Sequence, residues 1–113
     1  MSKKFLLVLL STLVILTLVP VATAQDDVIT IGFLPGVVDP FYQVMQIGVE
    51  TAVADMGLEL VTQIPPTWGV EVQTPLLDAM IARGDIDYLI IAPTEKDQMV
   101  GPLEAALDAG IKI

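Results

Sequence analysis

Short apolar runs alternate with amphipathic segments along most of this chain, and this alternation is the strongest constraint on its fold. The runs are Val28 to Leu34, Leu58 to Ile64 and Tyr88 to Ala92, and Ile111 to Ile113 begins a fourth. Each complete run has strand length, and its nearly unbroken apolar character is typical of strands covered on both faces in a parallel sheet. The order β-α-β-α-β-α-β predicts an α/β fold, a three-layer Rossmann-like parallel sheet with helices on both faces.

The segments between the runs have helical periodicity. Three sets of apolar residues recur every three or four positions and predict one apolar stripe on each of three helices. The sets are Phe41, Met45, Val49, Ala52 and Met56, then Val72, Leu76, Leu77, Met80 and Ile81, then Met99, Leu103, Ala106 and Leu107. Gly57, Gly84 and Gly110 follow the three segments, where a left-handed C-cap ends a helix.

Two prolines and a threonine bear on where the helices begin. Pro75 inside the second helix would cost about 3 kcal/mol, so either the regular helix starts near Thr74 or an earlier start is kinked. Pro102 raises the same difficulty in the third helix. Thr94, followed by Asp97 three residues later, forms a variant of the capping box and predicts that the third helix opens there.

The loops that follow the strands are predicted to lie together. They comprise residues 35–39, 65–69 and 93–94, and in a parallel sheet they share the edge where the strands end. This is the edge at which open α/β sheets bind their ligands. The loops hold the only Trp of the chain and adjoin a Phe-Tyr pair, so this edge is the predicted ligand-binding region.

Four residues of this region are candidate ligand contacts, namely Asp39, Phe41, Tyr42 and Trp68. Each has a structural alternative, since Asp39 before Pro40 is a good helix N-cap and the rings can pack as core. A sugar has apolar C–H faces and hydroxyl edges, which rings beside an acceptor carboxylate suit well. An amine ligand would use the same residues through charge and cation–π attraction.

Composition excludes several other functions. The chain has no Cys and no His, so disulfides, thiol nucleophiles, His bases and the usual zinc ligands are absent. Its glycines lack the dinucleotide-binding spacing, and no phosphate-loop Gly-Lys-Ser/Thr occurs. We therefore expect no catalytic residue, no metal and no cofactor. Residues 25–113 carry all 14 acidic residues and only three basic ones, so nucleic acid is not an expected partner.

Residues 1–24 have the features of a secretory signal. Lys3 and Lys4 precede an apolar run from Phe5 to Val19, and Ala22-Thr23-Ala24 supplies a small-x-small cleavage pattern. We expect cleavage after Ala24 and a periplasmic or extracellular location. The alternative is a retained membrane anchor, because Phe5 to Ala24 is just long enough to span a bilayer core of ~30 Å.

Several short motifs, taken together in order and spacing, resemble a known family. They are Ile31-Gly32-Phe33, Asp39-Pro40-Phe41-Tyr42, Ala54-Asp55-Met56-Gly57, Ile81-Ala82-Arg83-Gly84, Ile90-Ile91-Ala92-Pro93-Thr94 and Ala109-Gly110-Ile111. The series is similar to the N-terminal lobe of type I periplasmic sugar-binding proteins, the ribose-binding-like receptors of ABC importers. The resemblance implies a two-lobed receptor that closes on a sugar and is then recognised by a membrane permease.

The resemblance also implies roles for individual residues. The family's Asn-Pro-Phe-Phe, in which Asn binds sugar hydroxyls and the aromatics enclose the ring, corresponds to residues 39–42. This chain departs from the family in having Asp39 for Asn and Ala92 where Asn often precedes Pro-Thr. Both changes remove a polar contact, so ribose is not favoured. Trp68 lies in a loop longer than that of the ribose type.

Family members are much longer, so the resemblance implies that residues 25–113 are an incomplete N-terminal lobe. The first functional hypothesis is an exported solute-binding protein that captures a sugar or polyol for an ABC importer. A second is the extracellular sensor domain of a chemoreceptor or histidine kinase. A third, a flavodoxin-like enzyme domain, is opposed by the missing phosphate-binding motifs.

Overall fold

The computed structural model of the protein describes residues 27–113. They form three strands and three helices that alternate along the chain: β1 (Thr30–Leu34), α1 (Pro40–Asp55), β2 (Glu59–Thr62), α2 (Val70–Arg83), β3 (Tyr88–Ile91) and α3 (Val100–Asp108). The predicted alternation is confirmed over this range. Each strand is somewhat shorter than its apolar run, since the ends of the runs continue into loops.

β1 is the central strand of a parallel sheet with the order β2-β1-β3. In its middle, Gly32 pairs with Val61 of β2 and with Leu89 of β3. The chain passes from β1 to its neighbour β2 on one side, and then crosses back over β1 to reach β3 on the other side. Right-handed crossovers therefore place α1 on one face of the sheet and α2 on the opposite face. The predicted α/β fold, with helices on both faces of a parallel sheet, is confirmed.

The predicted fourth strand begins beside β3. Lys112 forms a parallel bridge with Tyr88. The Lys112 N–H donates to the Asp87 carbonyl at 3.0 Å, and its own carbonyl accepts the Leu89 N–H at 2.8 Å. The sheet thus continues outward from β3, and the crossover through α3 lies on the same face as α2.

The core lies between the sheet and the helices α2 and α3. Leu34 of β1, Leu77 of α2 and Met99 before α3 are all fully buried there in one apolar cluster. Gly32 lies directly beneath α2, since a Cβ at this position would come within 3.1 Å of the Met80 Cε. The missing side chain lets the helix approach the sheet closely.

The opposite face, beneath α1, is only partly covered. Val53 is the one buried residue of this helix. An open apolar groove runs between this helix and the sheet. It is lined by Ile31, Met45, Gly48, Val49, Ala52, Val53, Met56, Leu58 and Ile90. Four of the five residues in the predicted stripe therefore share a face, but Met45 and Met56 remain 37% and 69% exposed. The fifth, Phe41, lies outside the groove.

Of the two difficult prolines, Pro75 lies inside its helix and Pro102 lies at the start of its helix. α2 begins at Val70, well before Pro75, so of the two alternatives the earlier start is correct and a start near Thr74 is wrong. Pro75 then withholds one hydrogen bond, from the Glu71 carbonyl. α3 begins at Val100, which puts Pro102 in the first turn, where its missing N–H has no helical partner to lose.

The capping prediction for Thr94 was wrong. The helix begins six residues later, with Met99 at its N-cap and no side-chain cap hydrogen bond. Thr94 is instead buried, and its hydroxyl has no hydrogen-bond partner among residues 27–113. The cause is a turn over residues 96–99, which delays the helix beyond the reach of the Thr94 side chain.

The predicted signal peptide, residues 1–24, lies outside the described residues. Within residues 27–113, none of the three helices has the length and apolar character needed to cross a membrane.

Candidate functional site

The carboxyl ends of the three strands open into three loops at one edge of the sheet, as predicted. These loops span residues 35–39, 63–69 and 92–99. The first two are joined directly, because the Val38 N–H donates to the Pro65 carbonyl at 3.1 Å. Pro35 and Pro65 are both fully buried, so each loop leaves the sheet along a fixed path. The loops thus form one continuous surface.

Asp39 caps helix α1. One carboxylate oxygen, Oδ1, accepts the Tyr42 N–H at 2.9 Å, and Pro40 occupies the first helical position. The predicted N-cap is therefore confirmed. The second oxygen accepts no hydrogen bond from the described residues, and the side chain is half-buried. A carboxylate has about four lone-pair sites, so Asp39 can hold the helix and still accept a ligand hydroxyl.

The three aromatic residues singled out in the sequence come together beside Asp39. The rings of Phe41 and Tyr42 meet edge to face, with centroids 5.2 Å apart and an interplanar angle of 78°. Tyr42 and Trp68 stack at 6.5 Å, with an angle of 30°. Phe41 is 67% exposed and Trp68 is 52% exposed, so neither ring is part of the core. The alternative in which these rings pack as core is wrong for both.

Gly36 determines where the Trp68 ring lies. A Cβ at Gly36 would overlap the Trp68 Cζ3 atom, and the Tyr42 hydroxyl is only 3.0 Å from the same point. The indole therefore lies against the backbone of the first loop, although Trp68 itself belongs to the second. This contact fixes a large exposed ring that the sequence places in an irregular loop.

Gln73 is the residue of this region that the sequence interpretation missed. It is fully buried in α2, and its side-chain amide bonds to both the first and the third loop. A signal was present in the sequence. Gln73 precedes Leu77 by four residues and Met80 by seven, so it is a polar residue on the buried stripe of α2.

The candidate site is an open surface. Beside Asp39 and Tyr42 lies a depression of about 80 Å³, enough for about two or three water molecules. A depression of about 450 Å³ lies at the opposite edge of the sheet, where Asp27, Glu59, Asp85 and Asp87 contribute carboxylates. No group of three or more acidic side chains within residues 27–113 is arranged to hold a metal ion. Within residues 27–113, three aromatic rings gather near a carboxylate at the carboxyl edge, whereas no aromatic ring lines the larger depression at the opposite edge.

The chain belongs to the periplasmic binding protein domain family, whose match spans residues 31–113. Its structure is similar to an ABC transporter solute-binding protein from Agrobacterium vitis, solved with bound alpha-D-tagatopyranose. The identity is 42% and the TM-score 0.70, over 74% of this chain and 28% of that chain. A solute-binding protein from Mycobacterium smegmatis with bound glycerol is 28% identical, with a TM-score of 0.68, over 75% of this chain and 29% of that chain.

A third similar structure is a solute-binding protein from Burkholderia graminis C4D1M in complex with D-arabinose. It is 23% identical, with a TM-score of 0.71, over 77% of this chain and 30% of that chain, and this likeness shows the fold alone. The chain spans less than a third of the length of these three structures. A comparison with curated proteins gives no significant match.

Proposed function

We propose that this chain is the N-terminal part of an exported solute-binding protein that captures a sugar or polyol for an ABC importer. The observation that carries the proposal is the cluster of Phe41, Tyr42 and Trp68 beside Asp39. Only one oxygen of the Asp39 carboxylate accepts a hydrogen bond from the described residues. These groups lie at the carboxyl edge of a parallel sheet, where α/β folds bind ligands.

The chemistry of the cluster suits a polyhydroxylated ligand. The exposed faces of Phe41 and Trp68 can cover the C–H face of a sugar ring, since aromatic rings bury large apolar areas at little conformational cost. The free oxygen of Asp39 can accept one hydroxyl hydrogen, and a hydrogen bond to a charged acceptor contributes about 1.5–3 kcal/mol. The ligands of the two relatives above 25% identity, a ketohexose and glycerol, support the same class.

The described residues supply only part of such a site. The ring contacts contribute ~1–2 kcal/mol, whereas a micromolar complex requires ~8 kcal/mol. The chain spans 28% to 30% of the lengths of the three similar proteins, so we expect a second lobe to enclose the ligand from the other side. The closed form would then be the one that a membrane permease recognises.

The test uses the complete product of the gene that contains this chain. The purified protein is titrated calorimetrically with D-tagatose, further hexoses, pentoses and polyols, at constant salt and pH. Phe41→Ala and Trp68→Ala are each expected to weaken binding of the best sugar about tenfold, because each removes a ring from the ligand. Ile47→Ala is the matched control, since Ile47 lies on the same helix and is 63% exposed.

The outcomes separate the hypotheses. Binding of a sugar or polyol, weakened by both ring substitutions and unchanged by Ile47→Ala, supports the proposal. Equal affinity in all four proteins would place the ligand elsewhere and contradict the assigned site. If no sugar or polyol binds to the wild-type protein, the proposed ligand class is wrong. A kinase or chemoreceptor region encoded after residue 113 would favour the sensor function instead.

A further inference from the structure

Gln73 makes three hydrogen bonds from a fully buried side chain. Its Nε2 donates to the Pro35 carbonyl at 3.2 Å and to the Ala92 carbonyl at 2.8 Å. Its Oε1 accepts the Thr94 N–H at 2.9 Å. Both amide hydrogens and one oxygen lone pair are therefore used, out of the two donors and two lone pairs that this side chain offers.

The orientation of the amide follows from its partners. The two groups near Nε2 are carbonyl oxygens, and the group near Oε1 is a backbone N–H. If the nitrogen and oxygen were exchanged, the amide oxygen would face the Pro35 and Ala92 carbonyl oxygens, and the NH₂ group would face the Thr94 N–H. Only one orientation satisfies all three contacts, so the side chain is held in a single position.

The partners of Gln73 are the first residues of two site loops. Pro35 opens the loop that leads to Asp39, and Ala92 with Thr94 opens the loop that leads to α3. Gln73 also lies in the first turns of α2, where its N–H donates to the Gly69 carbonyl at 3.0 Å, next to Trp68. The Gly69 contact is a backbone bond that any non-proline residue would make, whereas the Gln73 side chain itself connects the loops after β1 and β3.

An apolar residue at this position would fill the same space without making these connections. The neighbours of Gln73 along the buried stripe, Leu77 and Met80, belong to the apolar cluster. A methionine in place of Gln73 would take a hydrogen-bond partner from the Pro35 and Ala92 carbonyls and from the buried Thr94 N–H. The loops would then move apart or admit water to satisfy those groups.

We propose that Gln73 is the positioning residue of the ligand site. Its side chain sets the spacing between the loop that carries Asp39 and the loop after β3, without touching the ligand itself. The inference rests on the proposed sugar-binding function, because its readout is ligand affinity. Substitution of Gln73 should lower ligand affinity by changing the positions of the site loops, not by removing a ligand contact.

The experiment compares Gln73→Met with Leu77→Ala in the complete gene product. Leu77 is also fully buried, one turn further along the same face of α2, in the apolar cluster. Thermal midpoints are measured first, and D-tagatose and the other sugars are then titrated well below both midpoints. Gln73→Met is expected to raise the Kd of the best-bound sugar at least about tenfold, the effect of a lost buried hydrogen-bond set. Leu77→Ala should lower the midpoint as much or more, yet change Kd by less than about threefold.

A second measurement and a second variant make the test decisive. Site-resolved amide exchange at Thr94 should accelerate in Gln73→Met, whereas exchange at Leu89 inside β3 should follow global stability alone. Gln73→Asn keeps the amide on a shorter side chain that cannot reach both loops, and it replaces Gln73→Met if that protein does not fold. It should also weaken binding several-fold.

Unchanged Kd in a folded Gln73 variant would overturn the inference and leave the proposed function intact. Equal weakening by Leu77→Ala and Gln73→Met would also overturn it, since any loss of core stability would then suffice. Absence of sugar binding in the wild-type protein would reject the proposed function, and the inference with it.

Discussion

The two faces of the sheet are both apolar, yet only one is closed. On the face of α2 and α3, Leu34, Leu77 and Met99 have essentially no exposed surface. On the face of α1, the side chains of Met45 and Ile90 remain 37% and 42% exposed along an open groove. The difference shows that an apolar stripe identifies which face of a helix can pack against other elements. The topology decides whether enough elements lie on that face to bury it.

Topology explains the contrast. The connections from β2 to β3 and from β3 toward Lys112 both run in one direction, so right-handed crossovers stack α2 and α3 on the same face. Among residues 27–113, only the connection from β1 to β2 runs the other way, and it places α1 as the one described helix on the second face. Parallel sheets are normally buried on both faces, so the groove beside α1 is a surface that further structure can cover.

The largest expected effect is on stability. In residues 25–113, Leu77→Ala should cost about 2–5 kcal/mol, because it leaves a cavity in the closed core. Met45→Ala should cost less than about 1 kcal/mol, since this side chain already contacts water. Thermal unfolding followed by circular dichroism measures both. Equal losses would mean that the groove is closed in solution.

The second effect is on association. An exposed apolar groove and the strand edge at residues 111–113 should make residues 25–113 self-associate at high concentration. Met45→Lys puts a charge into the groove and should weaken the association about tenfold, a change of about 1.4 kcal/mol. Val44→Lys is the control, because Val44 is 71% exposed on the same helix and does not line the groove.

Sedimentation equilibrium of the two variants and the wild type measures this effect. Equal association of Met45→Lys and the wild type would exclude the groove as the contact. Equal weakening in both variants would assign the effect to charge alone.

The third effect concerns the cap of α1. This helix buries only Val53, so its N-cap should contribute visibly to its stability. Asp39→Ala should cost about 1 kcal/mol, whereas Asp39→Asn should cost little, since Asn caps helices about as well as Asp. Urea denaturation of residues 25–113 compares the two. A similar loss of unfolding free energy in both variants would show that the charge of Asp39, rather than its hydrogen bond to the Tyr42 N–H, stabilises the helix start.

The smallest effect is expected at the end of α2. Arg83 and Asp85 form an ion pair at 2.7 Å, but both side chains are about half exposed, at 45% and 50%. Such a pair contributes roughly 0–1 kcal/mol because water and salt screen it. Arg83→Ala should therefore lower the urea midpoint only slightly, and the difference should vanish at high salt. A large decrease in the urea midpoint would mean that the stability of the closed face depends on this ion pair as well as on apolar burial.

Much of the fold was predictable because its signals are local. The strand runs, Asp39 with Pro40 at the start of α1, and Gly57 and Gly84 after two helices all act over one or two turns of chain. The convergence of the three loops followed from parallel topology. The stacking of Trp68 on Tyr42 confirms that the predicted residues meet, while their contact with a ligand stays a prediction.

Other features depend on distant parts of the chain and were not predictable. Thr94 fits a capping pattern, but its backbone N–H is held by Gln73, which lies 21 residues earlier. The exposure of Met45 and Met56 depends on which elements cover the second face, and a periodic stripe carries no such information. Gln73 was visible only as a polar residue on an apolar stripe, a pattern that does not identify its partners.

The central claim is that this chain forms one side of a sugar site that another part of the protein completes. The most direct measurement is a calorimetric titration of folded, monomeric residues 25–113, beside the complete gene product, with D-tagatose and a panel of pentoses, hexoses and polyols. We expect micromolar or tighter binding by the complete protein and none at micromolar concentration by residues 25–113, because an open edge leaves most of the sugar in water. A clear micromolar isotherm from residues 25–113 alone would contradict it.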